Sequence, residues 1–225
     1  MRVDAVVKVG GSLIRSRGLE PLLASLVRLA RSAALVVVPG GGGLADAVRR
    51  RCAVADPGAD AAHWMAILAM DQNAHYLAGL ADGAELVRGK EELRRHRGGS
   101  LVVLAPFSWL FEADPLPHSW DVTSDSIAAW VAGGILAQRL VLLKSLPGVL
   151  GARRSVLPGV DAATAASRGV VDAYFPRALR PGTECWILSG RHPGRLEDLM
   201  REGSARGTRI GAGPAPRAGP APGKR

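Results

Sequence analysis

The sequence has few cysteines, few lysines and no long apolar run, and these shortages exclude several classes of protein. The two cysteines, Cys52 and Cys185, lie outside any CxxC or Cys/His pairing, so we expect reduced thiols and no zinc site. No apolar run approaches the roughly 20 residues that span a bilayer. Residues 1–4 lead straight into a strand pattern, without the charged and apolar regions of a secretory signal. We therefore expect a cytoplasmic protein with no membrane partner.

The charge balance is basic but does not indicate a nucleic-acid surface. The formal net charge is +9, and three of these positive charges fall in the last fifteen residues, which leaves +6 for the rest. The remaining basic residues are scattered among helix patterns and form no stripe interleaved with aromatic residues. A small phosphorylated molecule is therefore the expected partner, rather than nucleic acid.

Lysine is the scarce cation of this chain. Arginine supplies nearly all of the positive charge, and the only lysines are Lys8, Lys90, Lys144 and Lys224. Lys8 lies inside one apolar strand pattern, and Lys144 lies at the end of another. Because the ammonium group is a compact point charge, lysine at such positions is typical of an anion site. Retention by chance is the alternative.

The stretch around Lys8 is the first candidate site. A lysine within a run of valines is costly to bury unless it meets an anion. The glycines that follow, Gly10 and Gly11, allow backbone N–H groups to approach such an anion closely. The stretch therefore predicts a phosphate cradle, and the alternative is a tight turn beside a lysine that extends to solvent.

Strand and helix patterns alternate along the chain, which predicts an α/β fold. We expect a three-layer αβα sandwich with a mainly parallel open sheet, formed by a single domain over residues 1–210. Residues 211–225 are rich in proline, glycine and alanine and are predicted to be a disordered tail. Residues 106–118 are predicted to form an irregular loop over a pocket mouth. The predicted strands cover residues 3–9, 34–38, 85–87, 101–104, 140–143, 185–188 and 209–210, and the main helices 19–29, 44–54, 59–81, 90–96, 123–138, 161–168 and 193–201.

A second glycine loop, residues 40–43, follows a strand and opens a helix, so it predicts a second anion site. Gly40, Gly42 and Ala45 also satisfy a G-x-G-x-x-A dinucleotide pattern, with Asp60 about 20 residues later. That match is weak because Asp60 opens a helix and does not end a strand. Two glycine loops at one sheet edge predict a phosphate donor facing an acceptor, and two tight turns without ligands are the alternative.

Four motifs together resemble the amino acid kinase superfamily. In chain order these are Lys8-Val-Gly-Gly-Ser, the four glycines at 40–43, Asp121-Val-Thr-Ser-Asp125 and Lys144-Ser-Leu-Pro-Gly148. Within the superfamily, the sequence at residues 40–46, 63–71 and 118–126 is similar to that of the small kinases of methanofuran biosynthesis. Those kinases phosphorylate [5-(aminomethyl)furan-3-yl]methyl phosphate to the diphosphate. The resemblance implies a kinase that uses ATP and Mg²⁺, acts in one-carbon metabolism and forms a homo-oligomer.

The resemblance also implies roles for individual residues. Lys8 would neutralise the transferring phosphoryl group, and Asp125 would orient the cations rather than act as a base. An alternative for Asp125 is a dipole partner of its own helix. The nucleotide side is expected to use Gly10, Gly11, Ser12, Lys144, Ser145, Gly148 and Val149. The acceptor side is expected to use Gly40, Gly41, Gly42, His63, Asp71, His118 and Asp121.

Several of these assignments keep alternatives. A structural role is the alternative for His63, Asp71 and His118, and solvation of the carboxylate is the alternative to pairing of Asp121 with a substrate aminomethyl cation. No lysine occurs between Lys144 and Lys224, so the later nucleotide-side lysine of many relatives is missing, and either Lys144 or Arg177 replaces it. Other function classes left open are a kinase of isopentenyl phosphate, UMP or an amino acid, a non-catalytic nucleotide-binding regulatory domain, and a dinucleotide-dependent dehydrogenase.

Overall fold

The computed structural model describes residues 3–96, 98–152 and 154–211, which fold around one eight-stranded sheet. The strands are β1 (Ala5–Val9), β2 (Leu35–Pro39), β3 (Glu85–Val87), β4 (Val102–Leu104), β5 (Arg139–Lys144), β6 (Gly159–Asp161), β7 (Glu184–Ser189) and β8 (Thr208–Gly211). The helices are α1 (Gly11–Ile14), α2 (Leu19–Ala30), α3 (Gly42–Val54), α4 (Ala59–Leu80), α5 (Lys90–Arg95), α6 (Phe107–Ala113), α7 (Ser124–Gly134), α8 (Ala162–Ser167), α9 (Phe175–Ala178) and α10 (Gly194–Glu202).

The sheet order is β3-β4-β2-β1-β5-β7-β8-β6, and every neighbouring pair is parallel except β7 with β8. The predicted α/β fold with a mainly parallel open sheet is confirmed. Alternate residues of β1 enter different cores: Val6 packs with α7 and α9 on one face, and Val7 packs with α2 and α10 on the other. Burial on both faces explains why β1 reads as a continuous valine run. Lys8 shares the face of Val6, because side chains alternate along a strand.

The structure adds elements that the sequence pattern did not predict. The irregular loop predicted over 106–118 is wrong for its first half, which forms α6. That helix starts where the carboxylate of Asp71 accepts a hydrogen bond from the Phe107 N–H at 2.9 Å, and the Phe107 and Phe111 rings pack against Trp64. Strand β6 and helix α9 are short and depend on pairing with distant segments. The helix predicted over 123–138 ends earlier, at Gly134.

The predicted disordered tail lies outside the described residues from residue 212 onward. None of the helices in the ranges given above is long and apolar enough to cross a membrane.

The two glycine loops touch each other backbone to backbone. A Cβ atom placed on Gly11 would lie 2.2 Å from the Cα of Gly42, and Gly42 itself has a φ of +53°. Neither position has room for a side chain, so glycine at both positions allows the carboxyl ends of β1 and β2 to approach each other closely. The spacing of the two predicted anion cradles is therefore a property of the fold.

We expect Gly11→Ala to lower the free energy of unfolding by about 1–3 kcal/mol, because the new methyl group must push the second glycine loop away. The measurement is urea unfolding followed by circular dichroism. Gly79→Ala is the control: Gly79 lies inside α4 with no atom within 4 Å of its added Cβ. That variant should gain roughly 0.5–1 kcal/mol of stability. Equal stability of the two variants would contradict the close contact of the loops.

Candidate active site

Four strand ends meet at one edge of the sheet and are tied together by backbone hydrogen bonds. The Gly40 N–H donates to the Val9 carbonyl at 2.8 Å, and the Gly10 N–H donates to the Leu143 carbonyl at 2.9 Å. The Gly190 N–H donates to the Lys144 carbonyl at 2.9 Å. The carboxyl edge of β2, β1, β5 and β7 is thus one continuous platform, the place where open α/β sheets bind ligands.

At the centre of this platform a buried carboxylate joins two lysines. The Lys8 Nζ lies 2.8 Å from Oδ1 of Asp125, and the Lys144 Nζ donates a hydrogen bond of 2.6 Å to Oδ2. Lys8 is 6% exposed and Asp125 3% exposed. The structure therefore brings together the three residues predicted to be catalytic, and we call them the lysine–aspartate cluster.

The elements of the fold explain why these side chains converge. Lys8 points toward α7 because it shares a face of β1 with Val6. Asp125 lies in the first turn of α7, whose N-cap is Thr123. Lys144 ends β5, which pairs in parallel register with β1. A strand centre, a neighbouring strand end and a helix start therefore place two cations around one anion, with one positive charge in excess.

The charges of the cluster shift the pKa values of its members. Burial alone would raise the pKa of Asp125, but the positive charges of Lys8 and then Lys144 outweigh it, so the pKa is lowered. Burial, followed by repulsion from Lys8, lowers the pKa of Lys144, and Asp125 opposes this shift only in part. Asp125 is thus ionised at neutral pH, and Lys144 loses its proton more readily than an ordinary lysine.

Two anchors of this site are not evident from the sequence, the buried Asn73 and the half-buried Asp172. Asn73 on α4 donates hydrogen bonds to the carbonyls of Gly40 and Gly41, at 2.7 and 2.9 Å, and so holds the second glycine loop. Asp172, between α8 and α9, accepts hydrogen bonds from the start of α7. The sequence signal for Asn73 is a polar amide residue within the apolar face of a long predicted helix. Nothing local to Asp172 indicates its contacts with the start of α7.

A cavity of about 320 Å³ opens beside the two glycine loops, and we call it the glycine cavity. It combines backbone amides, the positive end of α3 and two guanidinium groups, which suits a phosphate. Trp120, 39% exposed, forms part of its rim, and the Arg49 guanidinium lies 4.7 Å from the centre of the Trp120 ring. Its lining includes Gly11, Ser12, Arg15, Gly41, Gly42, Asp46, Arg49, Trp120, Thr123 and Ser124.

A second cavity of about 440 Å³ continues from the first, and we call it the histidine cavity. The two share Arg49, Ala66, Trp120 and Val122, so together they form one groove. Its lining also includes His63, His118 and Asp56. The predicted substrate residues His63 and His118 therefore do face a cavity next to the glycine loops.

The two histidines of this cavity carry different charges. His118 lies between carboxylates, with Nδ1 2.6 Å from Asp60 and Nε2 2.9 Å from Asp114. Both ring nitrogens can donate only in the imidazolium form, and the hydrogen bond to Asp60, supported by Asp114, raises the pKa of His118. The His63 ring stacks on it with centroids 4.2 Å apart, and burial together with His118 lowers the pKa of His63 to about 4. At neutral pH the cavity thus presents a neutral imidazole beside a cationic one.

Other predicted site residues lie elsewhere. Asp71 binds the start of α6, and burial raises its pKa. Asp121 is exposed and lines neither cavity. On the nucleotide side Lys144 and Ser145 are half-buried at the platform, whereas Val149 is buried and donates its N–H to Thr208 Oγ1 at 2.8 Å. Gly148 is also buried and packs against Thr208, and Arg177 is exposed on α9.

The described residues provide no cage for a metal ion. Within the ranges 3–96, 98–152 and 154–211, no group of three or more His, Cys, Asp or Glu side chains is arranged to hold one. The carboxylate at the centre of the site, Asp125, is committed to two lysines. The residues present therefore do not fit a protein-bound Mg²⁺ site.

Comparison with known proteins identifies the fold family. A model of the amino acid kinase family matches residues 5–182. The chain belongs to the amino acid kinase family. It is 27% identical over 206 residues, 87% of this chain and 92% of the relative, to a [5-(aminomethyl)furan-3-yl]methyl phosphate kinase of Methanocaldococcus jannaschii.

Solved structures of kinases share this fold. The uridylate kinase from Archaeoglobus fulgidus superposes with a TM-score of 0.70 at 18% identity, covering 92% of this chain and 100% of that one. The isopentenyl phosphate kinase of T. acidophilum gives a TM-score of 0.57 at 16% identity, covering 92% of this chain and 99% of that one. The resemblance to the amino acid kinase superfamily is confirmed, and with it the enzyme class, an ATP-dependent small-molecule kinase. The dehydrogenase alternative is wrong: Asp60 opens α4 and binds His118.

We expect Lys144→Ala to lower the kcat of this kinase by at least ~100-fold, because one of the two cations at the transfer site is removed. In the wild type, kcat should fall at alkaline pH as Lys144 loses its proton. Lys144→Arg should retain measurable turnover and should not show this fall, because arginine stays protonated. The matched control is Lys90→Ala, which removes a lysine beside β3, at the far end of the sheet order from β5. Coupled-assay kinetics from pH 6 to 10 measure both effects, and a near-wild-type rate for Lys144→Ala would exclude this lysine from the transfer step.

Asp125→Asn should lower the free energy of unfolding at pH 7 by about 3–5 kcal/mol, since two buried lysines lose their counter-ion. The pKa of Asp125 is lowered on folding from its ordinary value of 3.8, so its stabilisation is present above that pH and is lost as pH falls through the folded-state pKa. The difference between wild type and variant should therefore shrink in acid. Urea unfolding at several pH values tests this, with the exposed Asp82→Asn as control, and a pH-independent difference would contradict it.

Proposed function

We propose that this kinase transfers the γ-phosphoryl group of ATP to a small phosphate monoester and so forms a diphosphate. The single observation that carries the proposal is the lysine–aspartate cluster, which lies at the same edge of the sheet as the two glycine loops and the glycine cavity that they line. Two phosphates that face each other across two buried cations are the expected arrangement for phosphoryl transfer.

The proposed chemistry needs charge rather than a base. An oxygen of the acceptor phosphate forms a bond to the γ-phosphorus, the bond from that phosphorus to its bridging oxygen breaks, and ADP leaves. Lys8 and Lys144 neutralise the charge that spreads over the transferring oxygens, in a buried site where such contacts are strong. Asp125 fixes the two ammonium groups in advance. Lys144, rather than the exposed Arg177, is thus our candidate for the missing nucleotide-side lysine, and Lys144 and Ser145 are the nucleotide-side residues at the platform.

Mg²⁺ is proposed to arrive with ATP. Because the described residues form no metal cage, the ion would be held by phosphate oxygens and water, as Mg²⁺ commonly is. It supplies further charge neutralisation of the phosphates when bound.

The polarity of the groove supports an acceptor that carries an amine. Its glycine end is positive, with Arg15 and the start of α3, whereas Asp56 lines its far end, where His118 is paired with the carboxylates of Asp60 and Asp114. The neutral His63 adds a nitrogen that can accept a hydrogen bond from an ammonium group. The similarity to the Methanocaldococcus jannaschii enzyme points the same way, so we propose [5-(aminomethyl)furan-3-yl]methyl phosphate as the acceptor.

A planar ring would lie between the two ends of this groove. Trp120 belongs to both cavities and offers an indole face beside Arg49, on which a flat heteroaromatic ring can stack. Both carboxylates are exposed, but Asp56 lines the histidine cavity and Asp121 does not, so Asp56 is the better placed partner for the amine.

Homo-oligomer formation is also proposed, through the outer face of α4. Leu68, Tyr76 and Leu80 are 41%, 53% and 45% exposed and lie four or eight residues apart, on one side of the helix. An exposed apolar stripe of this kind is typical of a contact between subunits. Light scattering coupled to gel filtration tests it, and a monomer at every protein concentration would contradict it.

Phosphorus NMR of the protein with MgATP and a panel of phosphate monoesters tests the proposed reaction. We expect new diphosphate signals with the aminomethylfuran phosphate and only weak signals with UMP or isopentenyl phosphate. The analogue with a hydroxymethyl group in place of the aminomethyl group should lose about tenfold in kcat/KM, since the charged contact of the amine is absent. No diphosphate from any monoester would contradict the proposed function.

Two matched variants locate the amine. We expect Asp56→Asn to raise the KM for the amine substrate by about tenfold and to leave the hydroxymethyl analogue unchanged, because only the charge contact is removed. Asp121→Asn should change neither value. The reverse result would return the amine contact to Asp121.

A further inference from the structure

Asp172 makes an unusual number of contacts for one carboxylate. Its Oδ2 accepts hydrogen bonds from the Thr123 N–H at 3.0 Å, the Thr123 hydroxyl at 2.7 Å and the Ser126 N–H at 3.0 Å. Its Oδ1 accepts from the Ser126 hydroxyl and from the Phe175 N–H at 2.9 Å. Every partner is a donor, so the site is built for the ionised carboxylate.

These contacts enclose the residue that holds the two lysines. Thr123 and Ser126 stand on either side of Asp125 in the first turn of α7. A free helix start leaves its first N–H groups without partners, and here Asp172 satisfies two of them together with two neighbouring hydroxyls. The position of Asp125, and hence the spacing of the two ammonium groups, depends on this anchor.

Asp172 also links two parts of the fold that are distant in sequence. It lies between α8 and α9, on the segment that follows the nucleotide-side loop, and the Tyr174 N–H from the same segment donates to the Asp121 carbonyl at 3.1 Å. The segment is thus fastened on both sides of Asp125. A shift of α8 and α9 would therefore be transmitted to the start of α7.

We propose that Asp172 is a positioning residue for phosphoryl transfer, which fixes the start of α7 so that Asp125 holds Lys8 and Lys144 at the spacing the reaction needs. The inference rests on the proposed transfer reaction and goes beyond it, because Asp172 touches neither reactant in the proposed arrangement. A purely structural helix cap would instead affect stability and leave turnover per folded molecule unchanged.

Asp172→Asn is the informative variant, because it keeps the size of the side chain and removes its charge. An amide offers one acceptor oxygen, so its NH₂ group must face backbone N–H groups or hydroxyls that are themselves donors. We expect kcat per folded molecule to fall about 30–100-fold, with the KM values for ATP and for the acceptor changed by less than about threefold.

The matched control is Asp161→Asn. Asp161 caps α8 and accepts from the Thr164 N–H and hydroxyl, both at 2.7 Å, but it lies away from the lysine–aspartate cluster. It should lose stability with kcat unchanged. If Asp172→Asn folds poorly, Ser126→Ala removes one donor only and should lower kcat by about 3–10-fold, without adding to the effect of Asp172→Asn in the double variant.

A second readout needs no acceptor and so separates this inference from the proposed function. The chain has four lysines, which makes ¹³C NMR of labelled lysine side chains readily assignable. The charged groups around Lys144 are Lys8, Asp125 and Asp172, and Asp172 favours its protonated form. Asp172→Asn should therefore lower the pKa of Lys144, whereas Asp161→Asn should not.

The outcomes are distinct. A fall in kcat for Asp172→Asn together with a lower Lys144 pKa supports the positioning role. A kcat within about twofold of wild type, or an unchanged Lys144 pKa, would overturn it. If the wild-type protein turns over no phosphate monoester, the proposed function fails, and the lysine titration still decides whether the charge of Asp172 acts on the cluster.

Discussion

The contact of one buried carboxylate with two lysines is the interaction on which the rest of this site depends. Two ammonium groups that lie this close in a protein interior repel each other strongly, and only an anion between them makes the arrangement stable. Asp125 supplies that anion and leaves one positive charge in excess. The cluster therefore has a net positive charge, and in the proposed reaction the incoming phosphoryl oxygens meet cations whose positions are already set.

The surrounding structure keeps this contact in place. Glycines at the ends of β1 and β2 allow the two loops to touch, Asn73 holds the second loop, and Asp172 holds the start of α7. Each is a local arrangement of hydrogen-bond donors and acceptors, and together they leave little freedom at the platform. The groove beside it is more open and differs in charge from one end to the other. A closely fastened platform beside a separate groove suits a fold that is shared by kinases with different acceptors.

Much of the site could be predicted from local sequence. Lysine is rare in this chain and both Lys8 and Lys144 occupy strands, which predicts that they belong to the site. The glycine loops are predicted to belong to it because each follows a valine-rich strand. The anchors Asn73 and Asp172 could not be found in this way, since the partners that tie them to the site lie more than 30 residues away and no local pattern encodes them. Helix α6 was missed for the same reason: its first N–H is satisfied by Asp71 on another helix. The pairing of His118 with Asp60 likewise exists only after folding.

A crystal structure of the protein with ADP, aluminium fluoride and the aminomethylfuran phosphate would test the central claim most directly. The account predicts a planar fluoride between the ADP and the acceptor, within hydrogen-bond reach of Lys8 and Lys144, with the acceptor phosphate against the second glycine loop. A fluoride bound out of reach of both lysines, or an acceptor phosphate away from that loop, would contradict it.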